Sequence, residues 1–175
     1  TAGQYDAVVI GGGPAGTTLA TFLCRAGHRC LILNSTKFPR YHIGESLIPN
    51  TYGVLDRLGL LPRLKQSHFP VKHSVRFVSR SGSESDPFYF SDSIQGEAAQ
   101  TWQVERSEFD EMCLENAKQA GAEVLTGARV QRVLFSGSRA TGVLAQLHDE
   151  QPVKFRGRVV IDASGRGTVI GNQLE

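Results

Sequence analysis

An α/β fold built around a parallel sheet, joined by a β-meander and a small additional β-sheet region, is what this chain of 175 residues predicts, on three observations. Residues 5–16 read as a buried strand running into Gly11-Gly12-Gly13-Pro14-Ala15-Gly16, a Gly-x-Gly-x-x-Gly turn that opens a helix. Leu31-Ile32-Leu33 repeats the buried-strand signal at βαβ spacing. Near the other end, three apolar-rich runs alternate with turn residues, which is the pattern of a meander.

Taken in order, Val8-Val9-Ile10 has the unbroken apolar character of a strand covered on both faces. A helix is expected over 17–26, closed by Gly27. After the second strand, residues 35–49 form a long loop bracketed by prolines, too rich in aromatic and aliphatic side chains for disorder. Two short helices follow over 51–58 and 61–66, broken by Gly59 and Pro62. Strands are expected over 71–79 and 87–90, joined by the Ser-rich stretch 79–85. A short strand over 102–106 feeds a helix capped by Ser107, with Asp110 and Glu111 in its first turn and Gly121 as its stop. Phe109, Met112, Cys113, Asn116, Ala117 and Ala120 share one mostly apolar face of that helix. A strand over 123–125 precedes the meander runs 129–135, 141–147 and 153–162, separated by 136–138 and 148–152. The last run re-enters a buried sheet, so the turn 163–167 falls at the carboxyl edge where such sheets hold ligands.

Composition excludes several functions. The formal charge is +2, with Lys and Arg scattered, so no nucleic-acid face or anionic-membrane surface is indicated. No apolar run reaches the length of a membrane span and no signal segment opens the chain, which reads as cytoplasmic. Cys24, Cys30 and Cys113 lack C-x-x-C spacing and are expected as buried free thiols. P-loop, zincin and α/β-hydrolase motifs are missing, and neither His42 nor His73 has a partner at metal-ligand spacing.

The glycine turn is a Rossmann-like dinucleotide site. Gly11 permits the tight turn after the strand, Gly13 lets backbone N–H groups reach a pyrophosphate, and Gly16 lets helix and strand pack closely. The anion then meets the positive end of the helix dipole. Asn34 stands where an acidic residue is expected to hold a ribose hydroxyl. An amide accepts the same bond without charge assistance, a loss of about tenfold in affinity. Gly165, Gly167 and Gly171 miss the fingerprint spacing, so one dinucleotide site is expected.

Together these motifs resemble the flavin-dependent halogenases, particularly the branch acting on phenols and pyrroles, within the wider group of FAD-dependent monooxygenase-like proteins. The resemblance covers nearly the whole chain. It identifies Gly11-Gly12-Gly13-Pro14-Ala15-Gly16 with an FAD pyrophosphate loop common to the wider group. Residues 38–49, Phe-Pro-Arg-Tyr-His-Ile-Gly-Glu-Ser-Leu-Ile-Pro, resemble the loop along the flavin, of which geranylgeranyl reductases carry similar versions. The segment 103–110 resembles the one whose arginine, here Arg106, approaches FAD, and Asp162-Ala163-Ser164-Gly165 resembles the turn near the adenosine end. The resemblance thus implies cofactor contacts from Gly11, Gly13, Pro14, Ala15, Gly16, Asn34, Arg40, Ser46, Arg106, Ala163 and Gly165.

Lys72, within 69–77, aligns with the lysine of the halogenases. In that chemistry reduced FAD and oxygen give a hydroperoxide, chloride or bromide attacks it to form hypohalous acid, and the lysine directs the halogen to an electron-rich aromatic or pyrrolic ring. A lysine serves as an ammonium donating hydrogen bonds or as a nucleophilic amine, and the residues alone leave both open. The implied partners are a small aromatic or pyrrolic substrate, free or carrier-tethered, and a separate flavin reductase that supplies reduced FAD. Residues 1–175 are then an FAD-binding domain, the N-terminal part of a longer protein, with 68–104 a partial substrate-side β region and 128–162 the meander. The C-terminal part of the family fold, including its Trp-x-Trp-x-Ile-Pro motif, is expected beyond this sequence; Trp102, the only tryptophan, does not form it. Two other readings stay open: an FAD-dependent hydroxylase or geranylgeranyl-reductase-like enzyme, and a non-catalytic FAD-binding fragment.

Overall fold

The strand–turn–helix signal at the N-terminus sets the architecture. In a computed structural model, which describes residues 4–147 and 151–175, β1 (Tyr5–Ile10) leads into α1 (Pro14–Arg25), and β2 (Cys30–Asn34) returns parallel to β1 with Leu31 opposite Val8. The helix begins at Pro14, earlier than the expected Thr17. Proline suits a first helical position because its N–H is not needed there and its φ is already helical. The chain continues through β3 (Glu45–Ser46), α2 (Tyr52–Leu58), α3 (Leu61–Lys65), β4 (Val71–Lys72), β5 (Ser74–Val75), β6 (Phe88–Tyr89) and β7 (Thr101–Val104). It closes with α4 (Arg106–Gln119), β8 (Glu123–Thr126), β9 (Ala128–Ser136), β10 (Arg139–Leu147), β11 (Val153–Asp162) and α5 (Val169–Leu174).

Two compact units result: Thr1–Arg40 with Phe109–Glu175, and Tyr41–Glu108. In the first, one six-stranded sheet has the order β8-β2-β1-β11-β10-β9. The parallel sheet and the meander are a single structure because β11 changes partner along its length. Its Val153–Arg156 half pairs antiparallel with β10, and from Gly157 to Asp162 it pairs parallel with β1. Strand alternation then makes two cores. Val8, Ile10, Leu31 and Leu33 face Val133, Val143, Ala145 and Phe155 of the meander. Ala7, Val9 and Ile32 face Ala20 of α1 and Ala117 of α4. Tyr5 donates to Glu123 Oε2 at 2.7 Å, and burial with that acidic partner pushes its hydroxyl up to about 12.

In the second unit, β7 is the central strand of the small sheet β3-β7-β4, and β5 pairs with β6. Trp102, Leu60 and Leu64 are fully buried, and Tyr52 stacks on Trp102 with ring centroids 6.2 Å apart. This is the additional β-region expected from the sequence.

Several local expectations need correction. The strand over 71–79 is interrupted at His73, because Val71–Lys72 pairs with β7 while Ser74–Val75 pairs with β6. Ser107 lies inside α4 and does not cap it: β7 ends at Val104 and the helix starts at Arg106, so a single residue makes the turn. Glu108 is the acidic residue of its first turn. Asp110 and Leu114 join its buried face. Pro62 opens α3 instead of breaking it. A short helix, α5, follows the turn at 163–167, where none was expected. The separator at 148–152 lies partly outside the described residues. All three cysteines are free, and burial, with Cys24 next to it, pushes the Cys30 thiol up to about 12. Cys24 is only half-buried.

Leu31 is fully buried between β1 and β8. Leu31→Ala is therefore expected to lower unfolding free energy by about 3 kcal/mol, the loss of a leucine's burial plus the cavity left behind. Urea denaturation should show a lower midpoint with an unchanged slope.

Candidate functional site

A cavity of about 310 Å³ opens at the carboxyl ends of β1, β2 and β11, lined by Gly11, Gly13, Asn34, Arg40, Ala163 and residues of β9. This size falls within the range of small-molecule sites. The glycines are required by what surrounds them. Gly11 has φ +105°, and a Cβ there would lie 2.3 Å from the Ala163 carbonyl oxygen. A Cβ on Gly16 would lie 2.1 Å from the Gly11 carbonyl oxygen. Ala163 N–H donates to the Ile10 carbonyl at 2.9 Å, so the turn after β11 is fastened to the start of the glycine turn.

Asn34 is buried and both ends of its amide are engaged. Its Oδ1 accepts from Gly12 N–H at 3.0 Å, and its Nδ2 donates to the Thr36 carbonyl at 2.7 Å. The side chain thus ties the glycine turn to the loop leaving β2. An aspartate would accept from Gly12 equally well but could not donate to Thr36, which is a physical reason for an amide at this position.

Arg40 stands beside the glycine turn: a Cβ on Gly13 would meet its Nη2 at 3.3 Å. The same Nη2 donates to the fully buried Asp110 at 3.2 Å, and the guanidinium lies 5.1 Å from the Phe38 ring centroid. Its Nε is buried and has no hydrogen-bond partner among the described residues. A buried donor left unpaired is costly unless a ligand meets it. Arg129 is also among the lining residues. Backbone N–H groups at the start of α1 and the Arg40 guanidinium with its orphaned donor fit the pyrophosphate of a dinucleotide.

Asp162 shapes the far wall. Its Oδ1 accepts from Ser164 N–H at 3.0 Å and from the Ser164 hydroxyl, and its Oδ2 accepts from Ile170 N–H at 2.7 Å. Burial opposes ionisation of this carboxyl, but the bonds from Ser164, Ile170 and Val169 outweigh it and hold the group below the usual carboxylate range.

Of the remaining expected cofactor residues, Pro14 and Gly16 belong to the first turn of α1, whereas Ala15 and Gly165 line a neighbouring cleft. Ser46, Arg106 and Lys72 gather in the second unit around β7. There Lys72 Nζ donates to Ser46 Oγ, Ser46 donates to Gln103 Oε1, and Arg106 Nη1 donates to Glu45 Oε2 at 2.7 Å. Gln103 was not singled out from the sequence, and its position opposite Ser46 emerges only once the two short strands pair. His68, Glu105 and Glu108 also place ligand atoms within 4.8 Å of one another, but all three are exposed. The positive end of α4 disfavours a cation there.

The FAD binding domain family matches residues 4–175. The chain is 33% identical to a 1H-pyrrole-2-carbonyl-(peptidyl-carrier protein) chlorinase of Pseudomonas fluorescens, an alignment covering 98% of this chain and 41% of that protein. Its fold matches the myxobacterial chondrochloren halogenase with a TM-score of 0.88 and 38% identity, over 94% of this chain and 38% of that one. A flavoprotein/dehydrogenase from Cytophaga hutchinsonii matches with a TM-score of 0.87 and 34% identity, over 97% and 41%. The chain therefore spans about two fifths of the length of these proteins. No helix among the described residues is long and apolar enough to cross a membrane.

Two outcomes are expected from this geometry. Arg40→Lys keeps a cation for Asp110 but removes the Nε donor and the planar fork, so FAD affinity should fall about tenfold in a fluorescence titration. The second concerns acid. Asp162 has a folded-state pKa below its unfolded value, so its contribution to stability is present above the ordinary aspartate range and is lost as pH falls through the depressed one. Asp162→Asn should flatten that part of the stability-against-pH curve measured by denaturant unfolding.

Proposed function

The chain belongs to the FAD binding domain family, and from that premise we propose that it is the FAD-binding part of a halogenase acting on an electron-rich aromatic or pyrrolic ring. The observation that carries this reading is Lys72, on a β-strand of the second unit and held by Ser46. It occupies the position that the sequence resemblance identifies with the halogen-directing lysine. The chlorinase relative acts, by its name, on a pyrrole held on a carrier protein. A carrier-tethered pyrrolic substrate is the finer form of the proposal.

Bound FAD supplies the oxygen activation that converts halide to hypohalous acid. The chain's own residues have separate tasks. The N–H groups at the start of α1, with Arg40, would hold the pyrophosphate, and Asn34 and the turn at Ala163 would serve the adenosine end. The resemblance assigns a cofactor contact to Arg106, which is bonded to Glu45. Lys72 meets the oxidant and directs the halogen to the ring. The resemblance to the halogenases supports reduced FAD arriving from a separate reductase.

A second reading, an FAD oxidoreductase that does not halogenate, is supported by the likeness to the Cytophaga flavoprotein. One experiment separates the two. The intact protein is given photoreduced FAD, oxygen and bromide in a single turnover, with monochlorodimedone as a trap for released oxidant and Lys72→Ala alongside. The halogenase reading expects the trap to be brominated by both proteins and a true ring substrate only by the wild type. Peroxide with no brominated trap would leave the oxidoreductase reading in its place.

A further inference from the structure

Strand alternation sorts the side chains of the small sheet. Ser46 lies opposite Gln103, and Lys72 lies opposite Thr101. Residues two apart on β7 share a face, so Ser46, Gln103, Thr101 and Lys72 stand on one side. Glu45 falls on the other side, bonded to Arg106.

On the first side the hydrogen bonds run in one direction. Lys72 Nζ donates to Ser46 Oγ, and the Ser46 hydroxyl donates to Gln103 Oε1. A hydroxyl has one proton, and an amide carbonyl only accepts. With that proton committed to Gln103, Ser46 offers Lys72 nothing but lone pairs. A lysine held there has to donate, and an ammonium donates more strongly than a neutral amine. Thr101 is buried and its hydroxyl has no partner among the described residues, so no bond from it draws Lys72 away. The other titratable group of these strands is Glu45, on the opposite face and paired with Arg106 of α4, and His73 is the next residue along the chain from Lys72.

We infer that Ser46, oriented by Gln103, is the positioning residue of Lys72 and holds it as a hydrogen-bond donor. The inference rests on the reading of Lys72 as the halogen-directing group. It selects the donating role over the nucleophilic one. In the donating role no nitrogen–halogen bond forms on Lys72. The carbon–halogen bond forms as the halogen–oxygen bond of hypohalous acid breaks, the ring loses a proton, and the oxygen leaves as water. Lys72 ends with the protons it began with. Its other N–H groups remain to orient the oxidant once one is given to Ser46.

The test uses the intact protein with Ser46→Ala, Ser46→Thr, Gln103→Leu and Lys72→Ala. In FAD-free protein, brief labelling with acetic anhydride and mass spectrometry of the peptide containing Lys72 reports how far its amine is held. Ser46→Ala should label about threefold faster, the size expected when an exposed charge-assisted bond is lost. Gln103→Leu should shift the labelling in the same direction, and Ser46→Thr, which keeps the hydroxyl, should restore it. Wild-type labelling in both Ser46→Ala and Gln103→Leu, with Lys72→Ala inactive, would overturn the positioning role and leave the proposed function standing. Halogenation of the ring substrate by Lys72→Ala would overturn the reading of Lys72 itself.

Discussion

The pairing of β1 with β11 is the constraint on which the nucleotide site depends. Because the two strands run parallel and in register from Tyr5 opposite Gly157 to Ile10 opposite Asp162, they end at the same level. The glycine turn and the Ala163 turn are therefore delivered side by side, close enough that Ala163 bonds to Ile10 and a side chain at Gly11 has no room. The helix N-terminus, Arg40 and the Asp162 network are placed by that edge. If β11 paired by even one residue out of step, its apolar side chains would exchange faces and the edge would not form.

Most of this unit was legible in the sequence because its signals are local and agree with one another. Continuous apolar runs marked β1 and β2, the glycine spacing marked the turn, and Ser136-Gly137-Ser138 marked a corner of the meander. That the last meander run re-enters the buried sheet was legible too; what escaped was where along β11 the partner changes, since apolar alternation says that a strand is buried but not which neighbour each half takes. Asn34 shows the same limit at the site. Its departure from the acidic pattern was visible, yet its bonds to Gly12 and Thr36 depend on a fold that brings positions far apart in the chain together.

The second unit was less legible for a physical reason. Its strands β3, β4, β5 and β6 are two residues long, too short for a period-two pattern to emerge from the sequence. His73 divides what looked like one strand because its two sides serve different sheets. Glu45 and Ser46, adjacent in sequence, take opposite faces and so acquire unrelated partners, Arg106 for one and Lys72 with Gln103 for the other.

The first unit is discontinuous in the chain, since it stops at Arg40 and resumes at Phe109. The ion pair between Arg40 and the buried Asp110 fastens the two ends of that interruption. A closed neck of this kind makes the intervening segment a loop as far as the nucleotide-binding unit is concerned, and the entropy of closing a loop grows only with the logarithm of its length. Residues can be gained, lost or exchanged between these two anchors at little entropic expense to the folding of the first unit.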